Sequence, residues 1–153
     1  MRYIGCGVGL RGPLFPEIFE GHSQSNWFEV ITENLFPLPG FDRAYLMKKV
    51  LRVRENYPVA IHGVSLSIGS MDAPSSQYLA NLKKVIEIVD PCWVSDHMCW
   101  TGVDGVNMHD LMPLPYTFEA LDHVVKKIQI VQDIIKRPMV FENVSSYFDY
   151  KMS

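Results

Sequence analysis

Four short apolar runs in this chain each carry, or end on, a residue able to hold a metal or move a proton. Trp27–Thr32 (WFEVIT) leads into Glu33 and Asn34, and Val59–Ile68 (VAIHGVSLSI) carries His62 followed by Gly63. Trp93–Ser95 (WVS) leads into Asp96 and His97, and Met139–Phe141 (MVF) leads into Glu142 and Asn143. Two imidazoles with a carboxylate suit iron, zinc or manganese. A metal needs donors that converge from several directions, so ligands drawn from separate strands fit that chemistry. Asp96, Glu33 and the amides of Asn34 and Asn143 are then pocket candidates, as further ligands or as partners that set the imidazole tautomers.

Each residue also has a plainer reading. By itself His62, in an apolar strand, reads as a hydrogen-bonded core histidine. Asp96 beside His97 reads as a helix cap or a buried hydrogen-bonded pair. Glu33-Asn34 and Glu142-Asn143 each read as turn chemistry. Cys92 and Cys99 read as small buried hydrophobes. His109-Asp110 is a loop pair, either a solvated turn or a substrate contact. His22 reads as a loop residue and His123 as a helix-surface residue. Trp27, Trp93 and Trp100 read as walls of the core or of a pocket. The joint pattern outweighs these separate readings, because turn chemistry does not place an acid, amide or imidazole at one end of four strands in succession.

The elements that would position these groups alternate in period. Strand-like segments are Tyr3–Leu10, Trp27–Thr32, Val59–Ile68, Trp93–Ser95 and Met139–Phe141. Helix-like segments are Phe41–Asn56, Ser75–Val89 and Tyr116–Ile135, the last with Leu121, Val124, Val125, Ile128, Val131 and Ile135 at helical spacing. Thr117 is placed to cap that helix, and Pro138 stops it. Gly12–Ser25 is irregular, with a short helix opening at Pro13–Pro16. Gly102–Gly105 and Pro113–Pro115 read as loops. Strands alternating with helical crossovers predict βαβ units and a parallel sheet, whose carboxyl end hosts the active site. No repeat, linker or low-complexity run divides the chain, so a single domain over residues 1–153 is expected. Periodicity alone fits either a complete five-stranded α/β sheet or the front part of a (β/α)₈ barrel, which usually needs roughly 200 residues or more.

Composition narrows the function classes. The net charge is −3, and no basic surplus calls for nucleic acid or an anionic membrane. The start, MRYIGCGVGLRGP, has no signal-peptide pattern, and no run of about 20 apolar residues predicts a membrane helix. Three cysteines without CxxC spacing argue against a disulfide framework and point to a reducing cytoplasm.

GVGLR (Gly7–Arg11), WFEVITEN (Trp27–Asn34), IHGVSLSIG (Ile61–Gly69), VSDHMCW (Val94–Trp100), HDLMPLPYT (His109–Thr117) and FENVSSY (Phe141–Tyr147) occur in one order. Together they resemble the multinuclear non-haem iron-dependent oxidative enzymes, the methanobactin-biosynthesis type, formerly an uncharacterised protein family. The resemblance covers nearly the whole chain. It implies an α/β fold, a partial TIM (β/α)₈-like barrel of the xylose-isomerase-like kind. It implies two or three iron ions at the carboxyl end of the strands. It also implies oxygen-dependent modification of cysteine in a ribosomally made precursor peptide, with a partner protein that binds the leader. Position by position, His62, His97 and Glu142 match the expected iron ligands. Asp96, Asn143, Glu33 and Asn34 match the surrounding pocket. Members run to nearly twice this length, with further metal-binding motifs on later strands. The chain therefore reads as the N-terminal portion of a member with an incomplete site, and a complementary C-terminal half is an expected partner. A non-redox metal-dependent hydrolase or isomerase on the same barrel, and an inactive remnant or interaction module, are the competing readings.

Overall fold

The computed structural model describes residues 3–38, 43–145 and 150. Among the described residues, seven strands and four α-helices follow one another: β1 (Gly7–Gly9), α1 (Phe15–Phe19), β2 (Trp27–Ile31), α2 (Ala44–Arg54), β3 (Val59–His62), α3 (Ser76–Val89), β4 (Val94–His97), β5 (Trp100–Val103), β6 (Val106–Met112), α4 (Phe118–Ile135) and β7 (Val140–Glu142). Single 3₁₀ turns at Gly12–Leu14 and Thr32–Leu35 follow β1 and β2. Five strands form one parallel sheet in the order β1-β2-β3-β4-β7, each reached through a helical crossover. This is the expected partial TIM-like α/β architecture.

Strand register sorts the residues onto two faces. Phe28 and Val30 of β2 stand beside Val59 and Ile61 of β3, and Ile61 stands beside Val94 of β4. All five are buried. Val50 and Val53 of α2, Leu79, Leu82, Ile86 and Val89 of α3, and Val131 and Ile135 of α4 complete that core. The alternate residues face the other way: Gly7 and Gly9, Trp27, Glu29 and Ile31, Ala60 and His62, Ser95 and His97, Val140 and Glu142. Low on this inner face Trp27 meets Trp93 edge to face, with centroids 4.5 Å apart, and Trp27 Nε1 donates to the Gly5 carbonyl. Gly7 is obligatory there, since a Cβ would come within 2.1 Å of the Trp27 ring.

Local chemistry sets the helix ends. Ser75 Oγ accepts the Tyr78 N–H at the start of α3, and Thr117 Oγ1 accepts the Ala120 N–H at the start of α4. Asp90 and Lys136 close the same helices in the left-handed region. The expected apolar face of α4 is only partly used: Val124, Val131 and Ile135 are buried, but Leu121 and Val125 are exposed.

Several expectations need correction. The first strand shrinks from Tyr3–Leu10 to Gly7–Gly9, because Gly5 takes a positive φ and Asn26 Oδ1 engages the Cys6 N–H. The third ends at His62 rather than Ile68, and residues 63–75 turn away as a loop. That loop is tied to the neighbouring hairpin: Gly69 N–H donates to Cys99 O, and Thr101 N–H to Ser67 Oγ. Gly102–Gly105 is not a loop after β4: Gly102 and Val103 end β5, and Asp104-Gly105, both with positive φ, make the turn of the β5–β6 hairpin. Asp-Gly is the sequence signature of such a tight turn, and β6 carries His109 and Asp110. His123 is not a plain surface residue either, since its Nε2 donates to the Ser70 carbonyl, which also accepts from the buried Lys127 ammonium. The segment 41–42 of the expected second helix lies outside the described residues, and α2 begins at Ala44. Among the described residues, no helix is long and apolar enough to cross a membrane.

Candidate metal centre

Parallel register brings three donors to one spot. His62 stands beside Ser95, and His97, two residues further along β4, stands beside Glu142 of β7. All four side chains belong to the inner face at the carboxyl ends of their strands. His62 Nε2 lies 3.4 Å from His97 Nε2 and 3.6 Å from Glu142 Oε2. One donor atom from each of the three residues lies within 4.8 Å of the other two. The imidazoles are buried and meet edge to face, with centroids 4.6 Å apart. Glu142 is exposed, so the cluster opens outward on its β7 side.

The remaining ring nitrogens decide the tautomers. His97 Nδ1 is 3.2 Å from the Gly63 carbonyl oxygen. A carbonyl only accepts, so the proton of neutral His97 belongs on Nδ1. His62 Nδ1 is 2.9 Å from Ser95 Oγ, whose own hydrogen is directed at the Ile61 carbonyl. The hydroxyl oxygen then accepts from His62 Nδ1–H. With both protons on Nδ1, the two Nε2 atoms turn lone pairs toward each other, with a carboxylate oxygen beside them. Three acceptors that converge without a donor repel one another unless a cation sits among them. Nitrogen and oxygen ligands bind such an ion at about 2.0–2.2 Å, which sets two tetrahedral donors roughly 3.4 Å apart. The observed spacing and donor types fit a transition-metal ion.

The other pocket candidates divide. Asp96 alternates with His97 and faces the helices instead of the imidazoles. It is 1% exposed. Its Oδ1 accepts the His97 N–H at 2.7 Å, and its Oδ2 lies 3.3 Å from the Tyr78 hydroxyl of α3. That hydroxyl donates to Glu33 Oε1 at 2.8 Å, and the same oxygen accepts the N–H groups of Val64 and Ser65. Asp96, Tyr78 and Glu33 thus form one polar group behind the imidazole pair. Asn34 and Asn143 are exposed and join neither cluster through their side chains; Asn34 contributes its carbonyl to Arg43. Cys99 is buried, and burial pushes its thiol up to about 12, while Cys92 is exposed, contrary to the expected buried role. Ser95 and Tyr78 were missed as partners. Ser95 was within reach of the sequence, being two residues before His97 on one strand face. Tyr78 comes from a helix surface and left no local signal.

Burial raises the Asp96 carboxyl from 3.8 to about 7, with Glu33 adding to the effect. The folded chain therefore keeps this proton up to about pH 7, while an unfolded aspartic acid releases it near pH 4. The stability this contributes is complete below about pH 4 and is lost as pH rises through 7. Asp96→Asn keeps an acceptor for the His97 N–H and cannot ionise. Relative to the parent chain it is expected to gain stability between pH 4 and pH 8, by up to about 4 kcal/mol. Urea unfolding at both pH values measures this, and parallel pH dependences in the two proteins would contradict it.

The chain matches, over residues 5–153, the family described as RiPP precursor modification enzyme MbnB/TglH/ChrH. The chain belongs to this family. Relatives include UPF0276 proteins of Rhizorhabdus wittichii, 48% identical over 96% of this chain, and of Caulobacter vibrioides, 46% identical over 97%. A UPF0276 protein of Vibrio parahaemolyticus is 39% identical over 96% of the chain. These alignments span 53%, 52% and 50% of the relatives, so the chain spans about half the length of the curated relatives it matches. Among solved structures it is similar to a D-psicose 3-epimerase crystallised in the presence of D-fructose. The TM-score is 0.52 at 9% identity, covering 86% of this chain and 48% of that one. At that identity the likeness shows the TIM-barrel-like fold alone. The His/His/Glu cluster is a possible metal site on this TIM-like scaffold.

Proposed function

We propose that this chain forms the N-terminal portion of a (β/α)₈ barrel whose site holds iron through His62, His97 and Glu142 and uses O₂ to modify cysteine in a ribosomally made precursor peptide. The observation that carries this reading is the convergence of both Nε2 atoms and one carboxylate oxygen at the carboxyl ends of β3, β4 and β7. Family membership supports a precursor peptide as substrate. The exposed Leu121 and Val125 on α4 support further barrel elements packing beyond β7.

Ser95 and the Gly63 carbonyl hold the two imidazoles with lone pairs inward. Burial of both rings keeps bulk water off that side, while the open Glu142 side leaves room for a substrate sulfur. Iron held by His62, His97 and Glu142 would supply one-electron chemistry toward O₂ and a positive charge that favours the thiolate form of a substrate cysteine. Further donors and the leader-binding partner protein belong to the same reading.

The test loads the purified chain anaerobically with Fe(II), measures iron per chain by elemental analysis, and then follows O₂ uptake on adding a cysteine-containing precursor peptide. At least one iron per chain and peptide-dependent uptake are expected. The same two histidines and carboxylate also suit zinc in hydrolysis. Metal binding without any peptide-dependent O₂ uptake, including in the presence of the chain's complementary half, would favour that second reading.

A further inference from the structure

Glu33 touches none of the three proposed ligands, yet its bonds lead to one of them. It sits in the 3₁₀ turn after β2, and its Oε1 accepts the Val64 N–H at 2.9 Å and the Ser65 N–H at 2.8 Å. The Val64 N–H and the Gly63 C=O belong to one peptide group. That group is planar and trans, so its N–H and C=O point in opposite directions. The N–H end meets Glu33, and the C=O end meets His97 Nδ1 at 3.2 Å. The Tyr78 hydroxyl, whose ionisation burial pushes far above the usual phenol range, donates to the same carboxylate oxygen at 2.8 Å and holds it in place.

We propose that Glu33 is a positioning residue that acts on His97 through the Gly63–Val64 peptide. The proposal rests on the reading of His97 as a metal ligand. Metal-binding histidines commonly give their second N–H directly to a carboxylate, which sets the tautomer and raises the basicity of the ligating nitrogen. Here a peptide group stands between carboxylate and imidazole. Two effects pass along it. Glu33 sets the rotation of the peptide plane, and so the direction of the Gly63 oxygen. It also polarises the peptide, because hydrogen bonds in a chain strengthen one another by roughly 10–30% each. Released from that carbonyl, the imidazole of His97 is free to carry its proton on Nε2, where no metal could then bind. Among the described residues, the two other ligands show no such link through a peptide: His62 Nδ1 meets the Ser95 hydroxyl directly, and Glu142 is exposed on β7.

The experiment uses the metal-free full chain with ¹⁵N-labelled histidine at about pH 8.5, where free imidazole is neutral. Long-range proton–nitrogen correlation reads which ring nitrogen carries the proton. In the parent, both His62 and His97 are expected on Nδ1. Glu33→Ala and Glu33→Asp, the latter too short to reach both N–H groups, are expected to move His97 toward Nε2–H while His62 is unchanged. Co(II) affinity is expected to fall 10–100-fold in both, the range typical for residues that support a metal ligand. Glu33→Gln keeps an acceptor oxygen and is expected to restore the tautomer and most of the affinity. A His97 tautomer unaltered in both Glu33→Ala and Glu33→Asp overturns the proposal, as does parent-like Co(II) affinity in those variants when His97→Ala abolishes binding. The tautomer readout needs no metal. It therefore stands even if His97→Ala shows that metal binds elsewhere, in which case the ligand reading alone has failed.

Discussion

His97→Ala is expected to lower the affinity of the chain for Fe(II) or Co(II) more than 100-fold, beyond the 10–100-fold cost of losing a residue that merely supports a ligand. His62→Ala is expected to do the same. Each substitution removes one of three converging donors and leaves only one buried imidazole and the exposed Glu142. Ser95→Ala makes the informative comparison. It leaves all three donors in place but frees His62 Nδ1, so its cost should fall within the 10–100-fold range. Titration against a competing chelator reads these affinities. Heat denaturation gives an independent measure, because a ligand at 100 times its dissociation constant stabilises the fold by about 2.7 kcal/mol. In a chain of this size that is roughly 5–10 °C. The parent should show the shift and both histidine variants should not. Retention of parent-like affinity by either histidine variant would remove that residue from the site.

The sequence exposed the cluster because a parallel sheet repeats one geometry. Each strand delivers its last residues to the same end, so reading an acid or imidazole after four apolar runs amounted to reading their shared location. The pairing of His97 with Glu142 and of His62 with Ser95 follows from register, which no single segment encodes. Parity explains why Asp96 supports His97 from behind instead of facing the imidazoles. Adjacent residues on a strand face opposite sides, so an acid next to a ligand faces the helices unless the strand is bulged. The partners that matter to it, Tyr78 and Glu33, arrive from α3 and from the turn after β2, and only packing brings them within reach. The β5–β6 hairpin had a local signal in Asp104-Gly105, but its strands are exposed and irregular, with a positive φ at His109, so no clean alternation marked them. The third strand was read six residues too long because Val64, Leu66 and Ile68 alternate with serines after β3 has ended, in the opposite phase to Val59 and Ile61. Leu66 and Ile68 are buried as loop residues, so burial and strand pairing part company there.

Gly63→Ala is expected to cost about 3 kcal/mol or more and to weaken metal binding at the same time. Its N–H continues the β3–β4 ladder to the Ser95 carbonyl at 2.7 Å, and its φ is not in the left-handed region. The demand for glycine is therefore steric. A Cβ at this position would stand 2.1 Å from Asp96 Oδ2 and 2.8 Å from the Tyr78 hydroxyl. Neither can retreat freely: Asp96 is held by the His97 N–H, and Tyr78 by Glu33. The backbone has to move instead, and the Gly63 carbonyl that orients His97 moves with it. A loss of 3 kcal/mol is a large part of the 5–15 kcal/mol that stabilises a typical domain. Gly12→Ala is the control, since nothing lies within 4 Å of its added Cβ and its cost should be a few tenths of a kcal/mol at most. Asp96→Ala removes the obstructing carboxylate. In a double-mutant cycle it should make Gly63→Ala less costly by about 1–2 kcal/mol, the size expected for residues in direct contact. Urea denaturation supplies all four stabilities. Additive costs would mean that the backbone at Gly63 yields without meeting Asp96, and the close packing of carboxylate against glycine would then have no part in holding His97.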